Sequence, residues 1–192
     1  LALVNFVLIK RLMAVGKKGD TVAGLAKSYK LSKSRKVYTF TLRDNLKWTD
    51  PDGKTTPLKA QDFVYSWRRA LGQASEYAYM FSSDGAGIKN ADKLVELGTK
   101  ATKKQLATLG ISAPNDKTVK VTLERPCSYF LDIMTFSCFY PQSEKYITKW
   151  GTSFATDAKH LLTCGAFQAT NWVKSSKITF KKNNNYYDKK DV

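Results

Sequence analysis

The side chains able to do chemistry are few and poorly spaced for it. Cysteines stand at Cys127, Cys138 and Cys164, an odd number without metal-ligand spacing, so they cannot all pair. A helix between the first two would hold them about 16 Å apart, beyond disulfide reach. They read as three ordinary thiols, buried or half-buried. The single histidine, His160, has no serine, cysteine or acidic partner at a recognisable spacing, and reads as a polar surface residue. Asp50 and Asp52 sit in DPDGKTTP, where they serve a turn better than acid–base work. There is no nucleophile elbow, P-loop or HExxH motif, and no paired Cys or His cluster. Nothing here assigns a reaction, a cofactor or a metal, which favours a binding protein over an enzyme.

The remaining candidates are aromatic and basic. Trp48, Trp67, Tyr77 and Trp150 could stack on a ligand or on bases. With 32 Lys and Arg against 16 Asp and Glu, the charge of +16 brings nucleic acid, an anionic membrane surface or a cell wall into consideration. Yet the basic residues are scattered, in doublets such as Lys17-Lys18, Arg68-Arg69, Lys103-Lys104 and Lys181-Lys182. That distribution fits a solvated surface. A small basic nucleic-acid-binding module is the competing reading, and aromatic placement decides it: stacking groups must be exposed, whereas Trp48 and Trp67 fall on apolar stripes.

Those stripes define the elements. In a chain of 192 residues, 43% hydrophobic, one or two domains with a real core are expected. Tyr38, Phe40 and Leu42 alternate with Thr39, Thr41 and Arg43, the period of a half-buried strand over Val37–Arg43, with Leu46 and Trp48 closing the apolar set. DPDGKTTP is a turn with Gly53 at a positive φ. Phe63, Val64, Trp67, Ala70 and Leu71 then mark one face of a helix over Ala60–Leu71. SSDGAG reads as a loop, and Leu94, Val95, Leu97 and Leu106 as two short helices. APND is the expected turn into a strand over Thr118–Leu123, which should pair with Val37–Arg43. SYFLDIMTF predicts a helix with Tyr129, Phe130, Ile133, Met134 and Phe136 inside. After Pro141 come a short helix, SEKYITKWG, a loop, TSFATDAKHLL, and a hairpin of AFQATNW with KITFKKN.

The opening LALVNFVLIKRLMAV reads as a buried or amphipathic helix over residues 1–15, followed by a turn at Lys17–Asp20 with Gly19 at positive φ. Its apolar run is too short to span a bilayer, and Lys10 and Arg11 follow the run instead of preceding it, unlike a signal peptide. A start without methionine suggests a piece whose beginning lies upstream.

TFTLRDNLKWTD, AQDFVYSWRRAL and EYAYMF, in that order, resemble the oligopeptide-binding class of extracytoplasmic solute-binding proteins of bacterial ABC importers. AGLAKSY, LGISAPNDKTVKVTLERP, YFLDIMTFSCFYP, LLTCGAFQATNW and KITFKKNNNYYD continue it over roughly residues 10–192. The resemblance implies an α/β, periplasmic-binding-protein-like fold: part of lobe I with an inserted accessory α/β domain, the second lobe absent. Residues 1–23 would be a first segment of lobe I, 24–140 the accessory domain, and 141–192 a return segment of lobe I. It further implies an oligopeptide ligand, a membrane ABC permease as partner, and no specific nucleic acid. The protein would be a monomer outside the cytoplasm, anchored as a lipoprotein in its full-length form. Peptides in this class are held largely through their backbones, which demands few fixed polar residues. Tyr77 corresponds to an aromatic residue facing the peptide; the other reading of Tyr77 is a core residue beside Tyr79, Met80 and Phe81.

Departures from the family pattern carry their own expectations. Lys59 stands where relatives commonly have a capping threonine, and a lysine cannot accept that hydrogen bond. Cys164 and Ala166 replace an Asn and a Pro around Gly165, which should preserve the turn. Asn184 and Tyr187 stand for a usual Pro and Trp. A folded truncation that binds nothing stays open as a further alternative.

Overall fold

The computed structural model describes residues 8–188. Its first elements are a hairpin of β1 (Met13–Val15) and β2 (Thr21–Ala23), paired Met13 to Ala23 and Val15 to Thr21 through a turn with Gly19 at φ +81°. The helix expected over residues 1–15 is corrected at its far end: Leu8 is helical, but Met13–Val15 is a strand, and residues 1–7 lie outside the described residues. A segment as short as Met-Ala-Val fits either state, and here the turn folds the chain back on it and selects the strand. Gly24 follows, at a close approach of two backbones. A Cβ there would collide with the Arg11 carbonyl oxygen, where Leu25 N–H donates at 2.6 Å.

β3 (Ala26–Leu31) and β4 (Val37–Leu42) form the next hairpin, with a bulge between Ala26 and Ser28. Then come β5 (Lys47–Thr49) and β6 (Thr55–Pro57) around Gly53 at φ +84°. DPDGKTTP is thus a tighter turn than expected, its last residues belonging to a strand. Helix α1 (Ala60–Gly72) buries Ala60, Phe63, Val64, Ser66, Trp67 and Leu71, the face its periodicity marked. α2 (Ala91–Leu97) and α3 (Lys103–Leu106) are the two short helices; Thr102 and Gln105 form a capping box on the second.

β7 (Ile111–Asn115) and β8 (Thr118–Thr122) complete a four-stranded antiparallel sheet in the order β3-β4-β8-β7. β4 and β8 are neighbours, Phe40 opposite Val119 and Tyr38 opposite Val121, and α1 packs against β7 and β8. The turn expected at APND lies one step later, at Asp116–Lys117. Pro114 is inside β7, tolerated because β7 is an edge strand with a bulge between Ser112 and Asn115.

The helix expected over SYFLDIMTF shrinks to one turn, α4 (Phe130–Ile133). Phe130, Ile133 and Met134 are buried, but Tyr129 and Phe136 are 51% and 53% exposed. Phe136 is extended (φ −79°, ψ 152°), so helical phase ends before it and its ring does not return to the core face. α5 (Glu144–Trp150) and the hairpin β9 (Phe167–Val173) with β10 (Lys177–Lys182) follow as expected.

This last part is tied back to the first. Thr49 and Thr163 exchange backbone hydrogen bonds of 2.7 and 3.0 Å, and the Leu8 carbonyl accepts from both Cys164 and Gly165. Asn183 donates to the Gly165 carbonyl at 2.8 Å, so the bend at Gly165 is held from both sides.

Candidate functional site

Tyr77 is positioned by what surrounds it in sequence. Past α1 the chain turns through Ala74 at φ +47°. Ala78 N–H then donates to Ser75 C=O at 2.9 Å and Met80 N–H to Tyr77 C=O at 3.1 Å, making a 3-10 turn over Ala78–Phe81 that Tyr77 leads. Phe81, fully buried, anchors that turn: its ring lies 5.7 Å from Trp67 and 4.6 Å from Phe139, with Trp67 and Phe139 5.2 Å apart. The buried indole N–H of Trp67 is satisfied by the Phe139 carbonyl at 3.3 Å, and Ser66 Oγ donates to the Tyr140 carbonyl at 2.6 Å. On this base Tyr77 is 49% exposed and Tyr79 47%. Tyr77 is therefore outside the core and half-exposed to contact.

Sequence reasoning missed Phe136. It leads a second 3-10 turn, Ser137–Phe139, whose Phe139 is the ring against Phe81. Two exposed aromatics thus each precede one of two short turns packed together. The available signal was Thr135-Phe136-Ser137, a poor continuation for a helix.

The other candidates are structural. Trp48 and Trp67 are buried, 1% and 0% exposed, so neither can be a stacking platform; Trp150 packs against Tyr146, Phe154 and His160. His160 does have an acidic partner: Asp157 lies 2.9 Å from its Nδ1 and also accepts from the Lys159 and His160 amides. Those bonds, led by the one from His160, hold the Asp157 carboxyl below its usual range. Asp50 is the expected turn former, accepting from Lys54 N–H at 2.9 Å and Tyr146 O–H at 3.2 Å. All three cysteines are free. Burial pushes the thiols of Cys138 and Cys164 up to about 12, which removes them as nucleophiles near neutral pH. Among the described residues no group of His, Cys, Asp and Glu could hold a metal ion.

At the start of α1, Lys59 gives no side-chain cap, and Asp62 takes over. Its Oδ2 accepts Lys59 N–H at 2.8 Å and the Trp48 indole N–H at 3.0 Å. Burial raises this carboxyl to about 6 despite both bonds. Lys59 Nζ instead pairs with Asp116 at 2.9 Å.

The family profile of bacterial extracellular solute-binding proteins, family 5 (middle), matches residues 20–192. The chain belongs to that family. Among curated family-5 relatives it is 36% identical, over 187 residues, to a dipeptide-binding protein of Lactococcus lactis, covering 94% of this chain and 32% of that protein. It is also 36% identical, over 180 residues, to the oligopeptide-binding protein OppA of Bacillus subtilis, covering 91% and 30%. Of solved structures, the substrate-binding domain of an oligopeptide ABC transporter from Bacillus anthracis superposes with a TM-score of 0.87 at 30% identity, over 100% of this chain and 35% of that one. Listeria monocytogenes OppA bound to peptide gives 0.85 at 34%, over 98% and 35%. The chain therefore spans about a third of the length of these family-5 relatives. It shares the fold of periplasmic oligopeptide-binding proteins over that third. The family match begins at Asp20, so β1 precedes it and β2 through β10 lie within it. Among the described residues no helix is long and apolar enough to cross a membrane.

Proposed function

We propose that the chain is the part of an extracytoplasmic peptide-binding protein that supplies one wall of its ligand site, with Tyr77 facing the peptide. Oligopeptides are the ligand class and a membrane ABC permease is the partner; the whole protein works outside the cytoplasm as a lipid-anchored monomer without catalysis, a cofactor or specific nucleic-acid binding. Residues 24–140 form the accessory domain, and residues 1–23 and 141–192 belong to lobe I. The observation that carries this reading is the half-exposed Tyr77 at the head of the turn that Phe81 anchors against Trp67 and Phe139. A phenol placed there can stack on a peptide and donate a hydrogen bond to it.

A two-lobed binder closes over its ligand, so affinity comes from contacts made on two walls at once. One wall leaves peptide-backbone hydrogen bonds in water, each contributing about 1 kcal/mol or less. The isolated 192-residue chain should bind a mixed oligopeptide pool at millimolar strength or below detection in calorimetry. Amide shifts at high peptide concentration should centre on Tyr77 to Phe81 and vanish in Tyr77→Ala. Shifts that leave those residues untouched refute the placement of Tyr77, and micromolar binding lost in Tyr77→Ala refutes the need for a second wall.

A further inference from the structure

A groove of about 370 Å³ lies apart from Tyr77, which is not among its lining residues. It lies where the end of β4, the β5–β6 hairpin and the Asp116–Lys117 turn meet, beside Lys59 at the start of α1. Tyr77 follows the other end of that helix, whose 13 residues rise about 20 Å. The groove is thus a separate surface, and its role is independent of the peptide-cleft reading.

Its chemistry is mixed in an ordered way. Leu42, Leu46 and Leu58 are packed below it, and exposed Pro57 with the half-buried Thr55 and Thr56 continues an apolar side. Around this stand Arg43, Lys47, Lys59 and Lys117, against the carboxylates of Asp116 on the lining and Asp44 alongside. Arg43 is committed, donating to the Gly24 carbonyl at 2.7 Å and lying 5.1 Å from the Tyr187 ring. Lys59 pairs with Asp116, and Lys117 with Asp44, but these are exposed pairs, weakly held and ready to share an incoming carboxylate. Lys47 is exposed and has no ion pair among the described residues, and Asn45, left-handed at φ +59°, presents a carboxamide without a partner among them. Cations thus outnumber carboxylates around a strip of apolar surface.

We propose that this groove is a second recognition site, taking a short acidic segment of a partner protein. One apolar side chain lies on Pro57 and the leucine floor, while flanking carboxylates reach Lys47 and Lys117 and a backbone carbonyl accepts from Asn45. Charge complementarity sets the sign of the occupant, and the apolar strip favours a peptide over a phosphate chain, which would leave that strip in contact with charge.

The test is an amide-shift titration of the isotope-labelled 192-residue chain with acetyl-Glu-Leu-Asp-amide, blocked at both ends. Saturable shifts are expected at Lys47, Thr55, Thr56, Leu58 and Lys117, at least tenfold weaker with acetyl-Lys-Leu-Lys-amide. Lys47→Glu should weaken binding at least fivefold. Lys33→Glu, in the turn at the far end of β4, and Tyr77→Ala should leave it unchanged, with the same spectra reporting that each variant is folded. Shifts spread over lysines everywhere without saturation overturn the proposal, as does equal weakening by Lys33→Glu. Stronger saturable shifts at the same residues from oligothymidylate also overturn it, assigning the groove to nucleic acid.

Discussion

Asp62→Asn isolates a buried charge that the start of α1 holds at a cost. Removal from water raises the Asp62 carboxyl from 3.8 to about 6, against the hydrogen bonds from Lys59 N–H and the Trp48 indole, so folding favours its protonated form. With the folded value above the unfolded one, the stability from this group is complete below pH 3.8 and is lost as pH rises through about 6. Linkage gives about 1.4 kcal/mol more stability from this group at pH 5 than at pH 7.5, and about 3 kcal/mol at the acid limit. Both bonds fall on one oxygen, Oδ2, and an asparagine carbonyl can accept both. Asp62→Asn should therefore be neutral or stabilising at pH 7.5 and should abolish the gain on acidification to pH 5. Urea unfolding of both proteins at the two pH values, followed by tryptophan fluorescence, measures it. Parallel pH dependences refute the reasoning, and so does a loss of more than about 2 kcal/mol in the asparagine variant at pH 7.5, which would make the anion itself necessary.

Trp67→Ala removes a fully buried indole from the Phe81–Phe139 base and should lower unfolding free energy by about 3–5 kcal/mol, read in the same urea titrations. Gly24→Ala pushes a methyl into the Arg11 carbonyl and should cost at least about 2 kcal/mol, seen as a depressed Tm, whereas Gly53→Ala strains φ alone and should cost about 1 kcal/mol. Cys164, 4% exposed, should react with a thiol reagent at pH 8 only through opening of the fold, so its rate should rise with urea in step with the unfolded fraction, and a rate unaffected by destabilisation would contradict its burial. Oligonucleotide binding by this +16 chain should fall steeply between about 0.05 and 0.2 M salt with no preference for sequence.

Where periodicity was strong and long the elements could be read directly. The Val37–Leu42 and Thr118–Thr122 strands and the Trp67 face of α1 lie where alternation and helical spacing put them. The failures share a cause, in that short segments are settled by what they touch. Met13–Val15 is a strand because the Gly19 turn returns Ala23 alongside it. Ala26–Leu31 carries lysines at Lys27 and Lys30 and alternates too weakly to declare itself, yet it pairs along β4. Pro114 argued for a turn, and only its place on an edge strand admits it to the sheet.

For the site the same logic runs deeper. Tyr77, Tyr79, Met80 and Phe81 are one apolar cluster in sequence, and no spacing rule tells which ring goes inward in a 3-10 turn of four residues. Phe81 is chosen by contacts far off in sequence: its ring lies 4.6 Å from Phe139, 58 positions on, and 5.7 Å from Trp67. Once Phe81 is buried, the turn's geometry leaves Tyr77 and Tyr79 half-exposed. Replacing Phe139 should therefore act on Tyr77 without touching it. Phe139→Ala takes away one side of the Phe81 seat and should loosen the Ala78–Phe81 turn before it unfolds the sheet. Hydrogen exchange at the Met80 amide, bonded to Tyr77 C=O at 3.1 Å, should quicken more than exchange at Val119 and Val121. Equal acceleration at all three would mean that Tyr77 rests on the whole fold and not on this aromatic base.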